Sequence, residues 1–259
     1  MLKELSLTVF TSKMSRFVLI AGTMISGVLP AYGQKTTLTM PLGKNSRLIY
    51  DLERGSYTMI CSGRQLFSKA YAAWTAGTTS CDTRLAGKVT YSSKDTITPF
   101  GKATMYRLKF AGDAAVSQLF YVFKSQNYFL TQIRLQSPDG ASDYIAPLIT
   151  DDLSMQGNAD SRALYVPFDN DMWARYNAMP LAQADFKSSE LTAIYNADNN
   201  TGFVTGSLDQ TEWKTGIAIK ATNANSSGVK LFAGFTDSTI THDRIAHGKV
   251  QPVNGVINS

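Results

Sequence analysis

Phe129-Leu130-Thr131-Gln132-Ile133-Arg134-Leu135-Gln136 decides the fold. Phe129, Thr131, Ile133 and Leu135 form one face, and Gln132, Arg134 and Gln136 form the other. Period two suits a strand that buries one face and wets the other. The same alternation recurs outward from this stretch. Tyr106, Leu108 and Phe110 are separated by Arg107 and Lys109. Leu48, Tyr50 and Leu52 alternate, as do Tyr57, Met59 and Cys61. Leu191, Ala193 and Tyr195 repeat the pattern, then Ile217 with Ile219, and Val229, Leu231, Ala233 with Phe235. Turn residues such as Arg54-Gly55, Ser62-Gly63 and Asn199-Asn200-Thr201-Gly202 punctuate the runs. No long segment has helical period; Ser68 to Trp74 reads as one short helix or an irregular loop. The pattern predicts an all-β, mostly antiparallel sandwich. Ala146 to Asp160 is the one stretch that reads as a seam within it.

The N-terminus has a different logic. Lys3, Lys13 and Arg16 precede an apolar run from Phe17 to Leu29, which closes on Pro30-Ala31-Tyr32-Gly33. A basic region, an apolar region and small residues at a cleavage point are the order of a secretory signal. Residues 1–33 are therefore expected to be a signal peptide, with Met14 as an alternative start. The run is short for a membrane span of roughly 20 residues, so no span is expected after cleavage. A periplasmic or extracellular location follows. The β-sandwich is expected over 34–250, with 251–259 as a flexible tail or linker.

The chain of 259 residues has a formal charge of +5. The leader holds three basic residues and Glu4, so the mature part carries +3. That excess is scattered, and no basic run is interleaved with aromatics, which argues against a nucleic-acid partner. The two cysteines, Cys61 and Cys81, either form a disulfide of the kind that export permits or stay as two buried thiols. Two cysteines and two histidines do not fall at zinc-ligand spacing, so no metal and no cofactor is expected.

Chemistry concentrates in a few segments. After Pro167, the residues Asp169, Asn170, Asp171, Trp173 and Arg175 fall close together. Carboxylates and amides accept hydrogen bonds from sugar hydroxyls, and an indole offers a flat apolar face. The bland alternative is a capped turn with Trp173 in the core. Trp213 and Lys214 form a second pair that could stack on and bond to a sugar, or sit at a strand edge. His242 and His247 lack the spacing of a metalloprotease helix, and no serine-nucleophile elbow is present.

Several of these segments, read in order, resemble a known family. They are Tyr144-Ile145-Ala146-Pro147-Leu148, Val166-Pro167-Phe168-Asp169-Asn170-Asp171, Trp173 with Arg175-Tyr176, Trp213-Lys214-Thr215-Gly216, and Thr241 to Gly248. Together they resemble the N-terminal region of secreted α-galactosidase-like glycoside hydrolases, relatives of family 36 and the melibiase group of Bacteroidetes-type bacteria. The resemblance implies a galactose-mutarotase-like β-supersandwich that packs on a catalytic (β/α)8 barrel and lends residues to its sugar pocket. A barrel needs on the order of 250 residues, and only residues 249–259 follow Gly248. The expectation is thus a non-catalytic portion, inactive alone, with the barrel in cis or from an adjacent reading frame. A carbohydrate, galactoside-like, is the expected ligand. Asp169, Asn170, Asp171, Trp173, Arg175, Trp213 and Lys214 are the expected contacts. The other reading is a free-standing exported lectin-like or interaction protein.

Overall fold

The computed structural model describes residues 36–111, 113–136, 142–157, 160–168, 175–209, 213–234 and 256–258. These belong to one of the two units into which the chain divides, Lys35–Ser259. Strands β1 (Thr37–Leu42), β2 (Ser46–Asp51), β3 (Ser56–Cys61) and β4 (Arg64–Ala76) follow one another as hairpins, and β5 (Thr79–Asp82) folds back on the end of β4. A meander of β6 (Val89–Thr98), β7 (Gly101–Phe110), β8 (Asp113–Val122) and β9 (Phe129–Gln136) comes next. Then come β10 (Ile145–Ser154), β11 (Arg162–Tyr165), β12 (Asn177–Pro180), a single 3-10 turn at Leu181–Gln183, and β13 (Asp185–Ser189). The last strands are β14 (Leu191–Asn196), β15 (Thr201–Gly206), β16 (Thr215–Asn223), β17 (Ser226–Ala233) and β18 (Val256–Asn258). Among the described residues no α-helix occurs, and no helix is long and apolar enough to cross a membrane.

The strands make three antiparallel sheets. A nine-stranded sheet runs β1-β2-β3-β4-β10-β17-β16-β13, with β5 paired to β4; a four-stranded sheet runs β12-β11-β14-β15; a five-stranded sheet runs β18-β9-β8-β7-β6. The architecture is all-β and sandwich-like, as the alternation predicts. Leu48, Tyr50, Leu52, Tyr57, Met59, Leu108, Phe110, Ile133, Leu135, Ile217, Ile219 and Val229 all join the main core.

Three expectations change. Ser68 to Trp74 is neither helix nor loop but lies within β4. Its buried residues are Phe67, Ala70, Ala72 and Trp74, and Lys69 between the first two has φ of +51°. Register shifts against β3 accompany this bulge, which inserts one residue and breaks the period of two. Ala146 to Asp160 is no seam: most of it is β10, between β4 and β17 in the nine-stranded sheet. Its apolar run does not alternate because Ile145 and Leu148 join the main core, Ala146 and Ile149 join a small apolar cluster on the other face, and two bulges interrupt the register with β17. In β14 the buried face is Thr192, Ile194 and Asn196 rather than Leu191, Ala193 and Tyr195. Polar groups can take that face because they are satisfied: Thr192 donates to the Leu164 carbonyl at 2.5 Å, and Asn196 accepts from the Asp198 amide at 3.2 Å. Within residues 251–259, Val256–Asn258 forms β18 against β9.

Aromatic rings tie the three sheets together. Phe203 of β15 meets Phe67 of β4 at 6.4 Å between centroids, and Phe67 meets Tyr57 of β3 at 5.9 Å. Tyr57 meets Phe120 of β8 at 5.0 Å, and Phe120 meets Phe129 of β9 at 6.1 Å. Tyr50 stacks on Tyr57 and meets Phe120 edge-on, each at 6.0 Å. Edge-to-face pairs of this kind add about 0.5–1.5 kcal/mol beyond burial. The two tyrosines bring hydroxyls into this core, and β8 and β10 supply their partners. Pro147 cannot donate to a sheet ladder, so a central strand can carry it only at a bulge. That bulge frees the Pro147 carbonyl, which accepts from the Tyr57 hydroxyl at 3.4 Å and from Gln118 Nε2 at 3.3 Å. Gln118 Oε1 in turn accepts from the Tyr50 hydroxyl at 3.4 Å. Burial raises the pKa of both tyrosines, so both stay neutral donors. Phe120→Ala removes the ring shared by three of these contacts and is expected to cost roughly 3–5 kcal/mol in urea unfolding. A loss below about 1 kcal/mol would show that the site repacks freely.

Candidate functional site

The hairpin of β11 and β12 sits at the edge of the four-stranded sheet, with Tyr165 opposite Asn177 and Ala163 opposite Met179. Directly opposed residues of an antiparallel pair point to the same face. Ala163 is buried in the core, while Tyr165, Asn177 and Met179 continue that face outward. Beside them lies β13, the terminal strand of the nine-stranded sheet. Phe186 of β13 meets the Tyr165 ring edge-on at 5.5 Å.

The chain leaving β11 is pinned to β13. The Val166 amide donates to Ser188 Oγ at 2.7 Å, and the Ser189 amide donates to the Val166 carbonyl at 2.8 Å. These bonds carry Pro167 and Phe168 across the end of β13. Phe168 is half-buried and packs against Ala146, Ile149 and Phe232, a second apolar cluster on the outer face of the nine-stranded sheet. In that cluster Tyr144 stacks on Phe232 at 6.1 Å, and burial pushes the Tyr144 hydroxyl pKa up to about 12.

Between these elements is an open cavity of about 540 Å³ lined by Tyr165, Phe168, Asn177, Met179, Phe186 and Lys187. Its volume falls in the range of small-ligand sites, roughly 300–1,000 Å³. Three aromatic rings and a thioether give apolar walls. The Asn177 amide, the Lys187 ammonium and the Tyr165 hydroxyl give donors, and Asn177 and Tyr165 also accept. Such a lining suits a small ring with an apolar face and a polar rim.

The expected contact residues fall in different places. Asp169, Asn170, Asp171 and Trp173 lie outside the described residues, as do His242 and His247. Arg175 is exposed, two residues before Asn177. Trp213 is 7 % exposed and belongs to the main core, so its ring is packing rather than an open platform. Gly234 makes room for it, since a Cβ there would stand 2.4 Å from the Trp213 ring. The Lys214 carbonyl accepts from the Gly234 amide at 2.9 Å, and its side chain is half-buried. Neither Trp213 nor Lys214 lines the cavity.

Phe168 stands inside the Val166 to Asp171 run and Tyr165 directly before it, but the polar residues of that run draw attention first. Asn177, Met179, Phe186 and Lys187 carry no motif, and only the pairing of β11 with β12 and the path of β13 would have found them. No disulfide joins Cys61 and Cys81. Both are half-exposed thiols; Cys61 Sγ accepts from the Ser46 hydroxyl at 3.7 Å, and Cys81 lies on β5 opposite Trp74. Among the described residues no group of three or more His, Cys, Asp or Glu side chains could hold a metal ion.

Compared with known proteins, the chain matches no protein-family model and no curated protein.

The placement of Trp213 is testable through its neighbour. Gly234 has φ of +83°, and an added Cβ would also stand 2.3 Å from the Asp143 carbonyl oxygen. Gly234→Ala is expected to cost about 1–3 kcal/mol by overpacking, and to shift tryptophan emission to the red. Unchanged stability and emission would remove Trp213 from the core.

Proposed function

We propose that this chain is the non-catalytic β-supersandwich region of an exported α-galactosidase-like glycoside hydrolase, of galactose-mutarotase-like fold, and that it binds a galactoside. The observation that carries the reading is the cavity walled by Tyr165, Phe168 and Phe186. A pyranose has one apolar face of C–H groups and a rim of hydroxyls. In this reading the apolar face lies on an aromatic ring, while Asn177, Lys187 and the Tyr165 hydroxyl bond the rim. The segment between β11 and β12 adds acceptors from Asp169, Asn170 and Asp171, the indole of Trp173 and the guanidinium of Arg175. The polar sequence stretch and the aromatic cavity then belong to one hairpin.

Retaining glycoside hydrolysis needs two carboxylates about 5 Å apart across the scissile bond. The described lining contains none. In this reading the pair comes from a (β/α)8 barrel, and the present region orients the sugar at its rim. In this reading the chain is exported and works in the periplasm or outside the cell.

Isothermal calorimetry with galactose and raffinose tests the reading. Binding heat is expected with both, and Tyr165→Ala is expected to weaken each by about tenfold, as removal of a central aromatic anchor does. Trp213→Phe, a core change, is expected to leave affinity unaltered. Absence of heat with every galactoside, or full affinity in Tyr165→Ala, would sink the proposal.

A further inference from the structure

One cross-strand row runs over the outer face of the nine-stranded sheet from β4 to β13. Tyr71 is opposite Ile149, Ile149 is opposite Lys230, Lys230 is opposite Ala218, and Ala218 is opposite Lys187. Four strand spacings separate its ends, about 19 Å. Lys187 at one end lines the Tyr165–Phe186 cavity, and Tyr71 at the other lines a second cavity of about 650 Å³.

That second cavity is a mixed-charge cleft. Arg84 stands over the Tyr71 ring at 3.6 Å and is fixed by two bonds to the Asp82 carboxylate, at 2.9 and 3.1 Å. Asp152 is also fixed, accepting from the Ser68 amide at 2.9 Å, from the Thr150 hydroxyl at 2.8 Å, and from the Ser68 hydroxyl. Glu53, Arg54, Ser56, Ser68, Lys69 and Asp151 complete the polar lining. The Arg84 and Asp152 side chains are thus held in place before any ligand arrives, which lowers the cost of binding.

The surface between the two cavities shows the same alternation. Lys230 is exposed in the middle of the row, flanked by apolar Ile149 and Ala218. In the neighbouring row Gly228 is opposite Lys220 and Lys220 is opposite Asp185, and Asp151 approaches Gly228. Phe168 and Tyr71 both pack on the Ala146–Ile149–Phe232 cluster, so that cluster adjoins both cavities. Cations and carboxylates intermix along the whole face, with no field of one sign to select a charged polymer. Alternating donors, acceptors and apolar surface match a neutral polyhydroxylated chain.

We propose that the face binds one neutral oligosaccharide, laid across the strands from the Tyr165–Phe168–Phe186 cavity to the Tyr71–Arg84–Asp151 cleft. This deepens the galactoside reading and rests on it. A ligand about 19 Å long has several pyranose rings, so a single sugar fills only the first cavity. Two linked subsites on one chain gain from effective concentration.

Calorimetry with galactose, raffinose, stachyose and verbascose tests this on the purified protein, with Asp151→Asn and Lys230→Ala as variants. Both residues are exposed, so both variants are expected to fold, and thermal unfolding checks that they do. Affinity is expected to rise about tenfold or more from galactose to verbascose, because the second subsite engages. The variants are expected to lower verbascose affinity about fivefold and leave galactose affinity alone. Equal affinity across the series, with both variants silent, would overturn the extended surface and leave the single-sugar cavity standing. Equal weakening of galactose and verbascose by Asp151→Asn would move the primary site to the cleft and overturn it too. No binding of any member would remove both readings.

Discussion

Contacts among aromatic rings across three sheets hold this molecule in its shape. Phe203, Phe67, Tyr57, Phe120 and Phe129 form an unbroken run from the four-stranded sheet, through the nine-stranded sheet, to the five-stranded one. Two of the core rings are tyrosines, and their hydroxyls impose a condition on the rest of the chain. A buried hydroxyl without a partner costs on the order of 1–3 kcal/mol. Gln118 and the Pro147 carbonyl meet that condition, and the Pro147 carbonyl is available because β10 bulges there. The bulge in the middle of the largest sheet is therefore part of the core, not a flaw beside it.

The same sheet positions the candidate site. Its inner face is committed to the aromatic core, and its outer face is left to present side chains. The last strand, β13, carries Phe186 toward the core side and Lys187 toward the outer face. The β11–β12 hairpin closes against that edge through Ser188 and Ser189. A cavity at a sheet edge, walled by rings from two sheets, follows from those two facts. The cleft at Tyr71 arises differently, beside the bulge at Lys69, where β4 turns its backbone and leaves polar groups around an aromatic ring.

Much of the fold was legible in the sequence where strands keep strict alternation. β2, β7, β9, β16 and β17 turn the residues that the pattern selects toward the core, with Tyr106, Phe129 and Leu231 partly buried. Legibility failed where a bulge breaks the period, as in β4, and where a strand carries buried apolar residues on both faces, as in β10. It failed again in β14, where satisfied Thr192 and Asn196 flank Ile194 on the inner face, and Leu191, Ala193 and Tyr195 take the outer. For the site, sequence reading was drawn to tryptophans and clustered carboxylates. Trp213 proved to be packing, because Gly234 leaves space for its ring. The cavity residues are ordinary types, and what makes them a group is strand pairing, which no local pattern displays.

Sugar binding at the Tyr165–Phe186 cavity is the proposal on which the other functional readings rest. Amide chemical-shift mapping on isotope-labelled protein during titration with raffinose tests it most directly. Saturable shifts are expected at Tyr165, Asn177, Phe186 and Lys187, with the β6–β7 hairpin unmoved. Shifts confined to other surfaces, or none at saturating sugar, would contradict it.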